Sequence, residues 1–145
     1  MATKWQRVKI KLPTPITDTD KRAELADLII ERIVERTDQG KDKDGVPFAK
    51  YSKAYKDSLD FKNAGKSSTP NLQLSGDMLA ALKYLEKEST RNYITVGFEK
   101  DSEENGKADG NIRGTYGKPS PVGPKRDFLG ISEKDLVKLV KYVKV

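Results

Sequence analysis

The chain has 145 residues, of which 35% are hydrophobic and 34% charged, carries a net charge of +6, and contains neither histidine nor cysteine. That length points to one domain spanning 1–145, and the missing residue types exclude disulfides, thiolate metal sites and every mechanism that needs an imidazole base. No apolar run approaches the ~20 residues of a membrane-spanning helix and the basic N-terminus lacks a signal-peptide core, so the chain is expected to stay in the cytoplasm where it is made unless an assembly carries it elsewhere.

Val8, Ile10 and Leu12 alternate with Arg7, Lys9 and Lys11. Period two with one apolar face predicts a strand, which Pro13 and Pro15 end. Lysines on the open face suit an edge strand, where they discourage improper pairing. They could equally face DNA, together with Lys4. Thr17, Asp18 and Thr19 then offer helix caps, and Leu25, Ala26, Leu28, Ile29, Ile33 and Val34 recur at helical spacing up to a stop at Gly40. This long N-terminal helix should cover one face of a sheet.

Residues 39–71 read as a long loop. Phe48, Tyr51, Tyr55 and Leu59 have the spacing of a short helix inside it, interleaved with lysines. Those aromatics can pack on the domain, anchor a protein interface, or stack on single-stranded bases. Ser75 can cap a short helix carrying Met78, Leu79 and Leu82, and residues 83–88 follow as a strand. A connection over 88–92 leads to the clearest strand, in which Ile94, Val96 and Phe98 alternate with Tyr93, Thr95 and Gly97. Residues 99–123 are rich in glycine and read as a mobile arm or hairpin. Their acids (Glu99, Asp101, Glu103, Glu104 and Asp109) reverse the sign of the basic N-terminus, so complementary faces can set a head-to-tail contact. Ser132 and Asp135 form a capping box for a last helix lined by Leu136, Leu139, Val140 and Val143. The expected fold class is α+β: a small, mainly antiparallel sheet packed by the N-terminal and C-terminal helices, with extended loops.

The motifs that carry chemistry are incomplete. Ala64-Gly65-Lys66-Ser67-Ser68 resembles the end of a phosphate-binding loop, but Asp60 stands where the first glycine belongs and Pro70 follows where a helix should. Asp42-Lys43-Asp44-Gly45 resembles part of a calcium loop, but its final bidentate position is Tyr51. The reading is therefore of a chain that is not an enzyme, with no catalytic, metal or cofactor-binding residues and no cofactor.

Four stretches, in order, resemble a family. Gly45-Val46-Pro47-Phe48-Ala49-Lys50-Tyr51-Ser52 with Tyr55-Lys56, Leu72-Gln73-Leu74-Ser75-Gly76-Asp77-Met78-Leu79, Tyr93-Ile94-Thr95-Val96-Gly97, and Pro124-Lys125-Arg126-Asp127-Phe128-Leu129-Gly130-Ile131-Ser132 are similar to successive motifs of phage virion morphogenesis proteins, also called tail-completion or neck proteins. The histidine many members carry before the last motif has no counterpart in residues 108–117. The resemblance implies a structural virion protein at the neck or the tail-proximal end, a homo-oligomeric ring joining the head connector to the tail. Implied partners are further copies of the chain, connector or adaptor proteins, and tail tube or tail terminator proteins, with DNA passing by non-specific phosphate contact and no membrane. Candidate assembly residues are Phe48, Tyr51, Tyr55, Tyr116, Arg126, Phe128 and Leu129. Phe128 and Leu129 plug into the core or a neighbour, and Arg126 pairs across an interface. Candidate DNA-facing residues are Lys4, Arg7, Lys9 and Lys11. A small basic nucleic-acid-binding module and an assembly factor absent from the finished virion are the alternatives.

Overall fold

A computed structural model describes residues 4–47, 77–113 and 127–143. Their elements, in chain order, are strand β1 (Arg7–Lys11), helix α1 (Thr19–Asp38), the short helix α2 (Asp77–Ala80), strand β2 (Lys83–Tyr84), a 3-10 turn (Glu86–Glu88), strand β3 (Tyr93–Gly97), helix α3 (Glu103–Arg113) and helix α4 (Glu133–Val143). The three strands form one antiparallel sheet in the order β1-β3-β2, so the fold is α+β with β1 at an edge. The predicted helix within residues 48–59 and the phosphate-loop-like stretch 64–68 lie outside the described residues.

Strand β1 lies opposite β3 with Val8 facing Val96 and Ile10 facing Ile94. This places the apolar members of both strands on one face, where Ile10, Ile94, Val96 and Phe98 are buried. Helix α1 covers that face with Leu25, Ala26, Ile29 and Ile33, all fully buried. Its start is capped by the Asp18 carboxylate, which accepts from the backbone N–H groups of Asp20 and Lys21. Its end is a Schellman turn: Gly40 takes the left-handed conformation at φ 81°, its N–H bonds Thr37 O at 2.9 Å, and Lys41 N–H reaches Arg36 O at 3.2 Å. Helix α4 packs against α1 through buried Leu136 and Val143, with Leu139 and Val140 partly buried and Lys134, Lys138 and Lys141 exposed.

Two sequence expectations are corrected here. Residues 103–113 are not part of an arm but form helix α3, despite a glycine content that disfavours helix. Tertiary anchoring overrides the propensity. Ser102 Oγ accepts from Asn105 N–H at the helix start, and buried Asn105 accepts from Gln6 N–H at 2.6 Å while donating to Lys4 O at 2.9 Å. Gln6 Nε2 also donates to Asp109 Oδ1 at 2.7 Å, so the chain preceding β1 is stitched along α3. Likewise, the strand expected over 83–88 stops at Tyr84 and becomes a 3-10 turn. Side chains replace the ladder there: Ser89 Oγ accepts Thr95 N–H and donates to Leu85 O, and Thr95 Oγ1 donates to Glu88 O. No helix among the described residues is long and apolar enough to cross a membrane.

Candidate functional site

Residues 127–132, the described part of the last family-like stretch, run between the C-terminal end of α1 and the start of α4. The side chain that holds them is Arg36. Only 2% exposed, it donates from Nη1 to Gly130 O at 2.7 Å and from Nη2 to Phe128 O. A guanidinium fork suits this task because it presents two donors at a fixed spacing. Burial, with nearby Arg32 adding to it, lowers the pKa of Arg36 from its ordinary value, and Asp42, Asp135 and Asp127 offset part of that. Among the described residues its Nε has no partner, so the carbonyls of Phe128 and Gly130 carry the attachment.

Three further contacts secure the segment. Lys43 Nζ meets Asp127 Oδ2 at 3.2 Å, and the backbone N–H of Lys43 donates to Asp127 O at 3.0 Å. The carboxylate hydrogen bond raises the Lys43 pKa. Arg32 Nε pairs with Asp135 Oδ2 at 3.1 Å, tying α1 to α4. Ser132 Oγ caps α4 by accepting from Asp135 N–H. Phe128 is fully buried with its ring edge-on to Phe98, the centroids 6.2 Å apart, and Leu129 is 6% exposed. Of the two roles expected for Phe128 and Leu129, the structure assigns the first: they plug into this chain's own core.

The second candidate surface is the sheet face turned away from α1. Arg7, Lys9 and Lys11 are exposed there, joined by Lys83, which lies opposite Gly97 in the register. Two aromatic rings underlie the cations. Arg7 stacks 3.9 Å from the centroid of Trp5, and Lys100 approaches the same ring at 5.9 Å. Lys9 Nζ sits 4.5 Å from the Tyr93 ring. Trp5 is fixed by donating from Nε1 to Phe98 O at 2.7 Å. Glu99 is the acid beside this patch, 3.9 Å from Lys83. Such a face, basic with embedded rings, can meet phosphates or stack on unpaired bases.

Opposite it, α1 presents a run of acids. Asp20, Glu24, Asp27, Glu31, Glu35 and Asp38 are all exposed at helical spacing, whereas the basic residues of α1 are turned to structural partners. Lys21 bonds Val143 O, Arg22 bonds Ile16 O, Arg32 bonds Asp135, and Arg36 holds residues 128 and 130. A continuous acidic face thus lies on α1, in addition to Glu99, Asp101 and Glu103, which are exposed in the 99–109 stretch. In that stretch Asp109 is buried and Glu103 faces Lys107 within α3.

Lys4 is exposed and contributes its carbonyl to Asn105. Phe48, Tyr51, Tyr55, Tyr116 and Arg126 lie outside the described residues. The sequence pattern sets Arg36 on the polar face of the helix with Arg32 and the acids, but the structure buries it, because the spacing of Leu25, Ile29 and Ile33 carries the buried stripe straight to position 36. Sequence reasoning passed over Lys43 and Asn105, for which no local pattern exists. Among the described residues no cluster of His, Cys, Asp or Glu could hold a metal ion. The chain matches no family profile, no curated protein and no solved structure.

Proposed function

We propose that this protein is a ring-forming structural subunit of a tailed bacteriophage, placed at the neck, where it joins the head connector to the tail and lines the path of exiting DNA. The observation that supports this reading is the opposition of its two faces. An acidic helix face and a basic sheet face lie on opposite sides of one two-layer body. Contact between the two on successive copies is heterologous, and such contacts close into rings when the rotation permits. Complementary potentials also set the register of neighbours. The family resemblance of residues 124–132 adds to it, because the part of that stretch that is described is built into the core.

Sedimentation and negative-stain imaging of the purified protein test the ring. At about 50 mM salt rings should form, and at about 500 mM they should dissociate, because exposed charge pairs are then screened. Glu24→Lys combined with Glu31→Lys should block assembly without lowering the melting temperature. Deleting the gene from the phage that encodes it should leave filled heads and separate tails. Intact, infectious particles from that deletion would remove the proposal.

The basic, aromatic sheet face favours one second reading, a stand-alone nucleic-acid-binding module. That reading requires the monomer to shift DNA in a gel with steep salt dependence. Negligible binding by the monomer, with binding restored in the ring, supports the assembly role instead.

A further inference from the structure

Among the described residues, the outer edge of β1 is unpaired, and it borders a cleft. The ladder phase of β1 is set by two flanking bonds, Phe98 N–H to Gln6 O at 3.2 Å and Leu12 N–H to Asn92 O at 2.9 Å. The even-numbered residues therefore exchange main-chain bonds with β3. The N–H and C=O groups of Arg7, Lys9 and Lys11 point the other way, and no described residue bonds them. Beyond this edge lies a cleft of about 620 Å³, closed on its far side by residues 129–131 and the start of α4. Its apolar lining comes from Ile10, Leu12, Leu129, Ile131 and Leu136. The cleft lining itself is balanced in charge, with Lys43 paired to Asp127 and Lys9 and Lys11 set against Asp44 and Glu133, so the charge preference comes from Lys9 and Lys11 on the strand.

An unpaired strand edge beside an apolar trough is the arrangement that receives an added strand: main-chain bonds supply affinity and the trough takes alternate side chains. The chemistry of the edge specifies the occupant. Residues lying beside Lys9 and Lys11 on the open face would be cross-strand neighbours of ammonium groups, so acids are favoured there. Residues on the other face would enter the trough, so they must be apolar. A second copy pairing its own β1 here would set lysine against lysine, which is unfavourable.

We infer that the cleft beside β1 is a strand-addition site for an extended segment of another protein in which acidic and apolar residues alternate. The inference is independent of the ring contact and of the phage assignment, since it needs only a folded monomer.

The test uses the full chain labelled with nitrogen-15 and the capped peptide Glu-Val-Glu-Val-Glu-Val-Glu as probe. On binding, the amides of Arg7, Lys9 and Lys11 should become protected from exchange while those of Val8 and Ile10 keep the protection they already have. Lys9→Pro removes an outward donor without touching the β1–β3 ladder. It should weaken the peptide by about tenfold or more while leaving the melting curve in place. Should that variant fail to fold, Lys9→Glu combined with Lys11→Glu takes its place, and it should switch the preference to Lys-Val-Lys-Val-Lys-Val-Lys. Three results would each overturn the inference: no protection at the odd-numbered amides, undiminished binding by the folded proline variant, or protection that grows with protein concentration in the absence of peptide, which would mean a second copy fills the cleft.

Discussion

At the scale of single residues, Arg36 does the most to organise the molecule. It is a charged side chain spent on two carbonyls rather than a carboxylate, which makes its geometry more important than its charge. Arg36→Ala removes both donors and leaves a cavity, and should cost about 3–5 kcal/mol in urea unfolding. Arg36→Lys keeps the charge but loses the fork, for a cost of about 1–3 kcal/mol. A lysine variant as stable as the parent would show that the paired donors are unimportant. Lys43 supplies a pH dependence. Its folded-state pKa is raised above the ordinary 10.5 by the Asp127 hydrogen bond, so its contribution is complete below that value and fades as pH climbs through the folded value. The melting-temperature gap between the parent and Lys43→Met should therefore shrink above about pH 10.5.

At the scale of elements, the sheet depends on one close approach. A Cβ at Gly97 would lie 2.6 Å from Gln6 O and 2.7 Å from Arg7 Cα, so the backbones of β1 and β3 meet where no side chain fits. Gly97→Ala should push β1 away, costing about 1–3 kcal/mol. Hydrogen exchange should locate that loss at the Val8 and Ile10 amides, and uniform weakening across the chain would argue against this mechanism. The cap of α4 is simpler. Ser132→Ala removes the acceptor for Asp135 N–H and should cost about 1 kcal/mol. The elements differ in how openly they are written. Strands β1 and β3 and helices α1 and α4 were legible because period and caps are local properties. Helix α3 was not, because it depends on Asn105 and Gln6, residues separated by 99 positions. The end of β2 was hidden for the same kind of reason, since Ser89 and Thr95 do the bonding of a ladder.

At the scale of the whole molecule, charge is sorted between layers rather than along the chain. The sequence shows a basic start and an acidic stretch at 99–109, and the structure adds an acidic face on α1, whose basic residues are drawn off to tether the rest of the fold. That sorting becomes visible only when each lysine and arginine is matched to its partner. The candidate assembly residues were only partly legible for a related reason: apolar Phe128 and Leu129 suit a core and an interface equally, and burial decides between them. Phe128→Asp places a carboxylate against Phe98 at zero exposure and should abolish cooperative unfolding altogether, read by near-ultraviolet circular dichroism. A well-folded variant would mean that the ring is not a core anchor. If Phe128→Asp folds but fails to assemble, the residue belongs to a subunit contact after all.

The pairing of Arg7 with Gly97 also sets a timetable. Strand β1 leaves the ribosome roughly ninety residues before its partner, which at ordinary synthesis speeds is a wait of about 5–20 s. Throughout that interval β1 is an alternating segment with neither edge satisfied. Arg7, Lys9 and Lys11 set like charge against like charge between any two such waiting strands, which disfavours their pairing before β3 arrives.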